Sequence, residues 1–294
     1  MIWLIGNCGM LGAEIDKMFR KNRLSFVGSD REVDISDEAA LFSFIQKKDL
    51  KKVDWIVNCA AYTAVDKAED EPELAFRINS KGVLNLAKIA KHLDATLIHI
   101  STDYVFDGEK KAAYAEEDPP NPIGVYGKSK LEGEAHIKNI LTKYYIIRTA
   151  WLYGKNGGNF VNTMLRLFKE KDSIGVVSDQ WGSPTNTHDL ASAIIEIIKT
   201  PHTDTKNQYY GIYHYANEGK TNWHEFACEI YKIAKINNLI KKNLKIIPIL
   251  TCEYKTRAKR PQNSYLSKDK IKKNFGISIR SWQDALSDFI LRVM

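Results

Sequence analysis

Met1-Ile2-Trp3-Leu4-Ile5-Gly6-Asn7-Cys8-Gly9-Met10-Leu11-Gly12 is the stretch that decides the fold of this chain. An apolar run stops at a glycine, and two further glycines follow at three-residue steps before an amphipathic stretch over residues 12–20. A short apolar run bounded by glycine reads as a buried strand. Between a first strand and a first helix, glycines leave backbone N–H groups unobstructed at a helix N-terminus, where a pyrophosphate is favoured. Gly6, Asn7, Cys8, Gly9, Met10, Leu11 and Gly12 therefore form a candidate dinucleotide-binding bend. Three glycines alone are weak; their placement between strand and helix gives them weight.

Working outward, further strands are predicted over residues 25–28, 53–58, 96–101 and 144–149. Helices are predicted over residues 36–45, capped by Ser36, over 71–92 and over 127–141. Alternating strands and helices imply a Rossmann-type, doubly wound parallel α/β sheet with both faces covered. After Trp151 the pattern loosens. Helices are expected at 159–171, 187–199, 222–236 and 281–293, with short strands at 209–214 and 245–248. Asn222 with Glu225, and Ser281 with Asp284, have the spacing of N-cap and N3. The expected division is a first domain over 1–150 and a smaller C-terminal α/β domain over 151–294, part of the chain after 170 returning to the first.

The chain has 294 residues, 43 Lys+Arg against 36 Asp+Glu, 44% hydrophobic and 27% charged residues. That is enough apolar material for a large core, and it excludes a disordered or collagen-like chain. No apolar run approaches the roughly 18–20 residues that span a bilayer. The opening has no basic leader, so no signal peptide, no membrane partner and a cytoplasmic location are expected. Cys8, Cys59, Cys228 and Cys252 lack C-x-x-C spacing and read as reduced thiols, without zinc or disulfides. The net charge of +7 comes partly from pairs such as Lys47/Lys48, Lys241/Lys242 and Lys272/Lys273, scattered among acids. These read as solvated faces rather than a nucleic-acid surface, though a mild positive field gathers an anionic small substrate.

Asp30 closes the second strand at the spacing of a ribose-binding acid, while its neighbour Arg31 suits a 2′-phosphate. NADH and NADPH thus both stay open. Asp34 and Ile35 are placed to flank the adenine. Ser101-Thr102-Asp103-Tyr104 lies at the carboxyl end of the fourth strand, where such sheets bind ligands. Tyr126 and Lys130 are four residues apart, hence on one helical face. The expectation is that the Lys130 ammonium lowers the Tyr126 pKa, that Tyr126 protonates a carbonyl oxygen as hydride reaches the carbon, and that Thr102 holds that oxygen. His99 and His214 sit in apolar runs and read as packed histidines; Glu116-Glu117 reads as an exposed loop.

Longer motifs surround this trio: Asn58-Cys59-Ala60-Ala61-Tyr62-Thr63-Ala64-Val65-Asp66-Lys67-Ala68-Glu69, Ser101-Thr102-Asp103-Tyr104-Val105-Phe106-Asp107-Gly108, Asp179-Gln180-Trp181-Gly182-Ser183-Pro184-Thr185 and Arg260-Pro261-Gln262-Asn263-Ser264. With them the chain resembles the extended short-chain dehydrogenase/reductases, and within them the dTDP-4-dehydrorhamnose reductases. The resemblance implies an NAD(P)-binding Rossmann domain over 1–150, a mainly sugar-nucleotide-binding domain over 151–294 and a dTDP-sugar substrate. It implies Thr102, Tyr126 and Lys130 as the catalytic trio, with Tyr126 and Lys130 also touching the coenzyme. Ala60, Ala61 and Tyr62 would line the coenzyme; Thr63, Val65, Thr102, Asp103 and Trp151 would meet the sugar. An indole face suits a sugar ring, and a core tryptophan after the fifth strand is the alternative for Trp151. Magnesium and a homodimer occur in some members; no acidic cluster in this sequence calls for the metal.

Alternatives accompany this reading, a related nucleotide-sugar 4-ketoreductase among them. Related dehydratases carry Thr-Asp-Glu where this chain has Thr102-Asp103-Tyr104, and a phenol cannot replace that carboxylate as a base at neutral pH. An epimerase would consume no net coenzyme. A non-catalytic relative, the regulatory subunit of methionine adenosyltransferase, shares the architecture, but the intact trio argues against it.

Overall fold

In the computed structural model, which describes residues 1–50, 52–200 and 209–293, alternate side chains of the first strand enter two different cores. Ile2 and Leu4 of β1 (Ile2–Ile5) join one cluster, and Trp3 and Ile5 join the other. Successive strand residues point to opposite faces, so a strand covered on both sides has no polar position. β2 (Phe26–Ser29), β3 (Trp55–Asn58), β4 (Thr96–Thr102) and β5 (Tyr144–Thr149) pair with it in parallel in the order β5-β4-β3-β1-β2.

One face is covered by α1 (Met10–Lys21), α8 (Thr187–Lys199) and α10 (Asp269–Phe275). The other is covered by α2 (Glu38–Lys47), α5 (Val83–His92) and α6 (Val125–Ile140). A third core gathers Phe168 of α7 (Phe160–Glu170), Phe226 of α9 (Trp223–Ile236) and Leu286 of α11 (Trp282–Val293) beside the paired strands Ser173–Val177 and Lys245–Ile249. β1 has β2 on one side and β3 on the other, so the crevice at the carboxyl ends of β1 and β3 is the switch point where such sheets take ligands.

Four expectations need correction. Residues 209–214, read as a strand of the smaller region, contribute Gly211–Tyr215 to the main sheet, where that strand pairs parallel with β5 as a sixth member. Ser36 is not the cap of α2: Asp37 accepts from the backbone N–H of Ala39 and Ala40, and the Ser36 hydroxyl is donated to Asp34. The helix expected over 71–92 is broken into α4 (Pro72–Phe76), a π-helical turn over Arg77–Gly82 and α5, preceded by the short α3 (Val65–Asp70). Glu116 is buried, not exposed, because its carboxylate accepts the backbone N–H of His214 in the sixth strand. The two cap pairs form as read: Asn222 accepts from Glu225 N–H, and Ser281 from Asp284 N–H.

The glycine bend tolerates no added carbon at Gly6 or Gly12. Gly6 has φ +76°, and a Cβ there would lie 2.7 Å from Ala60 N. A Cβ on Gly12 would lie 1.9 Å from Gly6 O. Gly12→Ala is expected to cost about 1–3 kcal/mol or more by overpacking backbone on backbone. Gly158→Ala, with nothing within 4 Å of the new carbon, should stay within about 0.5 kcal/mol of wild type. Urea titration of the two variants checks this.

Candidate active site

The bend at Gly6 is tied to β2, since Gly6 N–H and Asn7 N–H both donate to Ser29 O. α1 opens at Gly9 without any side-chain cap, leaving its first N–H groups free for an anion. Gly9 and Cys8 are exposed there, while Leu11 and Gly12 are buried beneath. This cradle fits a dinucleotide pyrophosphate. Cys8 faces Asp30, and partial desolvation by the surrounding bend, together with that carboxylate, pushes its thiol up. Arg31 is exposed next to it. Asp34 is spent on Ser36, whose N–H and hydroxyl it accepts at 2.9 and 2.7 Å. Ile35 is buried under Gly82.

Across the crevice, Ala60 and Ala61 are half-buried, and Tyr62 is pinned by Asn79. The Asn79 side chain accepts Tyr62 N–H at 2.9 Å and donates to Tyr62 O at 3.0 Å and to Ser129 Oγ at 3.0 Å. Ser129 in turn donates to Tyr126 O. Asn79 lies in the π-helical turn, a local break often found where function needs a re-aimed side chain. It thus ties the loop after β3 to the helix that carries Tyr126 and Lys130. Sequence reading missed it, because nothing in Ile78-Asn79-Ser80 interrupts the helical pattern.

α6 brings Tyr126, Lys130 and Glu134 to one face at four-residue steps. Glu134 is fully buried, accepts from Arg148 Nε and Nη2 of β5 at 3.0 and 2.7 Å, and accepts Ser101 Oγ of β4 at 2.5 Å. The Tyr126 phenol lies beside the Thr102 side chain, close enough for that hydroxyl to influence its ionisation. Thr102 Oγ1 accepts Tyr104 N–H at 3.1 Å and donates to Asp103 Oδ1 at 2.9 Å. Thr102, Asp103 and Tyr126 therefore meet at the carboxyl edge of β4. The Tyr104 ring meets the Tyr126 ring edge-on at 5.6 Å.

One electrostatic expectation is overturned. Burial holds the Tyr126 phenol above its ordinary range, with the Thr102 hydrogen bond opposing and Asp103 and Tyr104 adding to it. Lys130 does not lower it, because Nζ turns to the sheet, donating to Ile100 O at 2.7 Å and lying 3.2 Å from His99 Nε2. Burial lowers Lys130 itself to about 8, against the pull of Glu134. Burial also raises the Asp103 carboxyl to about 6, against the hydrogen bonds of Ser264 and Thr102.

Of the remaining sugar candidates, Thr63 is exposed and Val65 half-buried at the start of α3. Trp151 is half-buried with φ +48°, its indole stacked on Trp223 at 3.6 Å and 11°. A Cβ on Gly182 would touch that indole, so Trp151 is held in an uncommon backbone state by packing. Arg260 closes this side: it donates to Asp66 Oδ2 at 2.7 Å, and its charge partly opposes the rise that burial gives the Tyr104 phenol. Trp223 and Arg260 went unassigned in the sequence, since both meet the site only through tertiary contacts. A cavity of about 510 Å³ bounded by His188, Asp189, Arg280 and Arg292 shares no residue with this site, and its Arg280 is engaged by Asp189 and Asp288.

A glycine-bend parallel sheet with Thr, Tyr and Lys gathered at the end of β4 is the arrangement expected of an extended short-chain dehydrogenase/reductase. The whole chain, residues 1–294, matches the family model for the RmlD substrate binding domain. It is 41% identical to a dTDP-4-dehydrorhamnose reductase from Aggregatibacter actinomycetemcomitans over 97% of this chain and 96% of that protein. A dTDP-4-dehydrorhamnose reductase structure from Clostridium acetobutylicum superposes with a TM-score of 0.90 at 40% identity, covering 100% of this chain and 99% of that one. Another from Bacillus anthracis, solved in complex with NADP, gives 0.90 at 36% identity over 99% and 98%. This chain belongs to that family.

The raised Asp103 carboxyl sets a stability test. Its folded pKa, about 6, lies above the unfolded value of about 3.9. The ionised form is therefore disfavoured by folding, and stability is gained as pH falls through 6. Asp103→Asn should raise Tm by a few degrees at about pH 8 and show a smaller gain at about pH 5; calorimetry at both values checks it.

Proposed function

We propose that this protein reduces the C4 keto group of dTDP-4-dehydro-L-rhamnose to give dTDP-L-rhamnose, an oxidoreductase step in deoxysugar synthesis. NADPH or NADH, when bound, supplies the hydride. The observation that carries this reading is the Tyr126 phenol beside Thr102 at the carboxyl edge of the glycine-bend sheet, in a chain alike end to end to reductases of this name.

The roles follow from what each group can hold. Tyr126 is the proton donor. Because burial keeps its phenol neutral at ordinary pH, it carries its proton until an alkoxide forms beside it. That is the behaviour reduction needs of an acid. Thr102 orients the phenol and the sugar oxygen, and Asp103 directs the Thr102 hydroxyl. Lys130 orients the nicotinamide ribose. Gly6, Asn7, Cys8, Gly9, Met10, Leu11 and Gly12 hold the pyrophosphate, Asp30 or Arg31 reads the adenosine ribose, Asp34 and Ile35 flank the adenine, and Ala60, Ala61 and Tyr62 wall the pocket. Thr63, Val65 and Trp151 contact the sugar nucleotide, so that the layer after 151 built on Trp151 and Trp223 is the sugar-nucleotide side. A cytoplasmic location is part of this reading; among the described residues no helix is long and apolar enough to cross a membrane. Thr102, Tyr126 and Lys130 come from one chain, so a homodimer would not be needed to complete the trio. Among the described residues, no three His, Cys, Asp or Glu side chains come together as a metal site.

Tyr126→Phe should lower kcat by about 10²–10⁴-fold while still binding coenzyme, as read by fluorescence titration. The assay follows oxidation of NADPH, then NADH, with freshly made dTDP-4-dehydro-6-deoxysugar and identifies the product. Near-normal turnover by the variant defeats the proton-donor role. Product formed without net loss of reduced coenzyme would favour an epimerase.

A further inference from the structure

The buried polar chain behind the trio has a proton count that favours one charge state of Lys130. Asn58 Oδ1 accepts Ala60 N–H at 3.0 Å, which orients the amide. Asn58 Nδ2, a donor only, then faces His99 Nδ1 at 2.9 Å, so Nδ1 must offer its lone pair. Burial holds His99 far below the range where it charges. A neutral imidazole carries one proton, which must therefore sit on Nε2. Nε2 faces Lys130 Nζ at 3.2 Å. An ammonium has three donors and no acceptor, whereas an amine has one lone pair. Only the amine accepts from His99 Nε2–H and still donates to Ile100 O at 2.7 Å.

We propose that His99 is a positioning residue that favours the uncharged amine of Lys130, so that in mildly alkaline solution the coenzyme-free protein holds Nζ as an amine and seating the coenzyme is coupled to proton uptake there. His99 and Lys130 are each 1% exposed, so water does not replace either partner. The other titratable groups around Nζ do not force a charge on it. Glu134, on the same helix, is engaged by Arg148 of β5 and Ser101 of β4. The Cys59 thiol, just after β3, is pushed up to about 12 and is uncharged. The Tyr126 phenol, one turn earlier, is neutral. Nζ gains its third proton, from solvent, only by giving up the Nε2–H bond. Ribose hydroxyls bring the replacement acceptors; that second half of the proposal rests on the coenzyme reading above.

The test uses the full chain without coenzyme, labelled with ¹⁵N-histidine and ¹³Cε-lysine. His99→Gln and Lys130→Arg assign the two signals. Nε2 of His99 is expected in the pyrrole-like range and Nδ1 in the pyridine-like range, and Lys130 should become an amine at a lower pH than the surface lysines. A pyridine-like Nε2, or a Lys130 that titrates with the surface lysines, overturns the proposal. Asn58→Asp supplies an acceptor to both Ala60 N–H and His99 Nδ1–H. It should move the imidazole proton to Nδ1 and raise the proton affinity of Lys130 at least tenfold. A residue that merely fills space would keep its tautomer. Calorimetric titration of NADPH in two buffers of different ionisation enthalpy, near pH 8, should show proton uptake in wild type and much less in Asn58→Asp; binding without uptake defeats the coupling. No NADPH binding at all would instead defeat the coenzyme reading, and the resonance data would still decide the state of Lys130.

Discussion

Everything at the catalytic edge depends on one fully buried ion pair. Glu134 on α6 is gripped by the Arg148 fork from β5 and by the Ser101 hydroxyl from β4. Two charges taken out of water stay tolerable only when both are matched and hydrogen-bonded, and removing one partner commonly costs about 3–5 kcal/mol. The pair therefore holds α6 to one height and one rotation over the sheet. Lys130 and Tyr126 lie one and two turns upstream on the same face, so the anchor sets where the phenol meets Thr102.

A second brace works from the other side. Asn79 joins the loop after β3 to Ser129, and Ser129 joins Tyr126 O. The loop after β3 and the start of α6 are thus parts of one hydrogen-bonded body. The π-helical turn that aims Asn79 departs from regular helix where this brace is needed. Trp151 is a third local exception, a bulky residue at positive φ held by Trp223 and Gly182. Departures of this kind gather where surrounding packing over-determines the backbone, which fits a surface kept ready for a ligand.

Burial gives the site its chemistry. It keeps the Tyr126 phenol protonated, raises Asp103 and lowers Lys130. A spacing argument treats Tyr126 and Lys130 as a pair that exchange influence across one helical turn. In the folded protein the lysine turns to the sheet, and the phenol answers instead to Thr102 and to the loss of water. The same low-polarity surroundings make the tautomer of His99 and the charge of Lys130 two sides of one hydrogen-bond count.

The sequence by itself determined the repeating strand–helix order, the parallel sheet and the glycine bend. Those depend on local period and on backbone freedom at Gly6 and Gly12, and both are written in consecutive residues. It also placed Thr102, Tyr126 and Lys130 together, because a strand end and a four-residue helical step leave little choice. Tertiary structure alone decided that Gly211–Tyr215 joins β5, since an apolar strand carries no mark of which edge it will meet. It alone buried Glu116 under His214 N–H and moved the cap of α2 to Asp37. And it alone set the direction of the Tyr126 and Lys130 shifts, because desolvation is a property of what packs around a group and not of its neighbours along the chain.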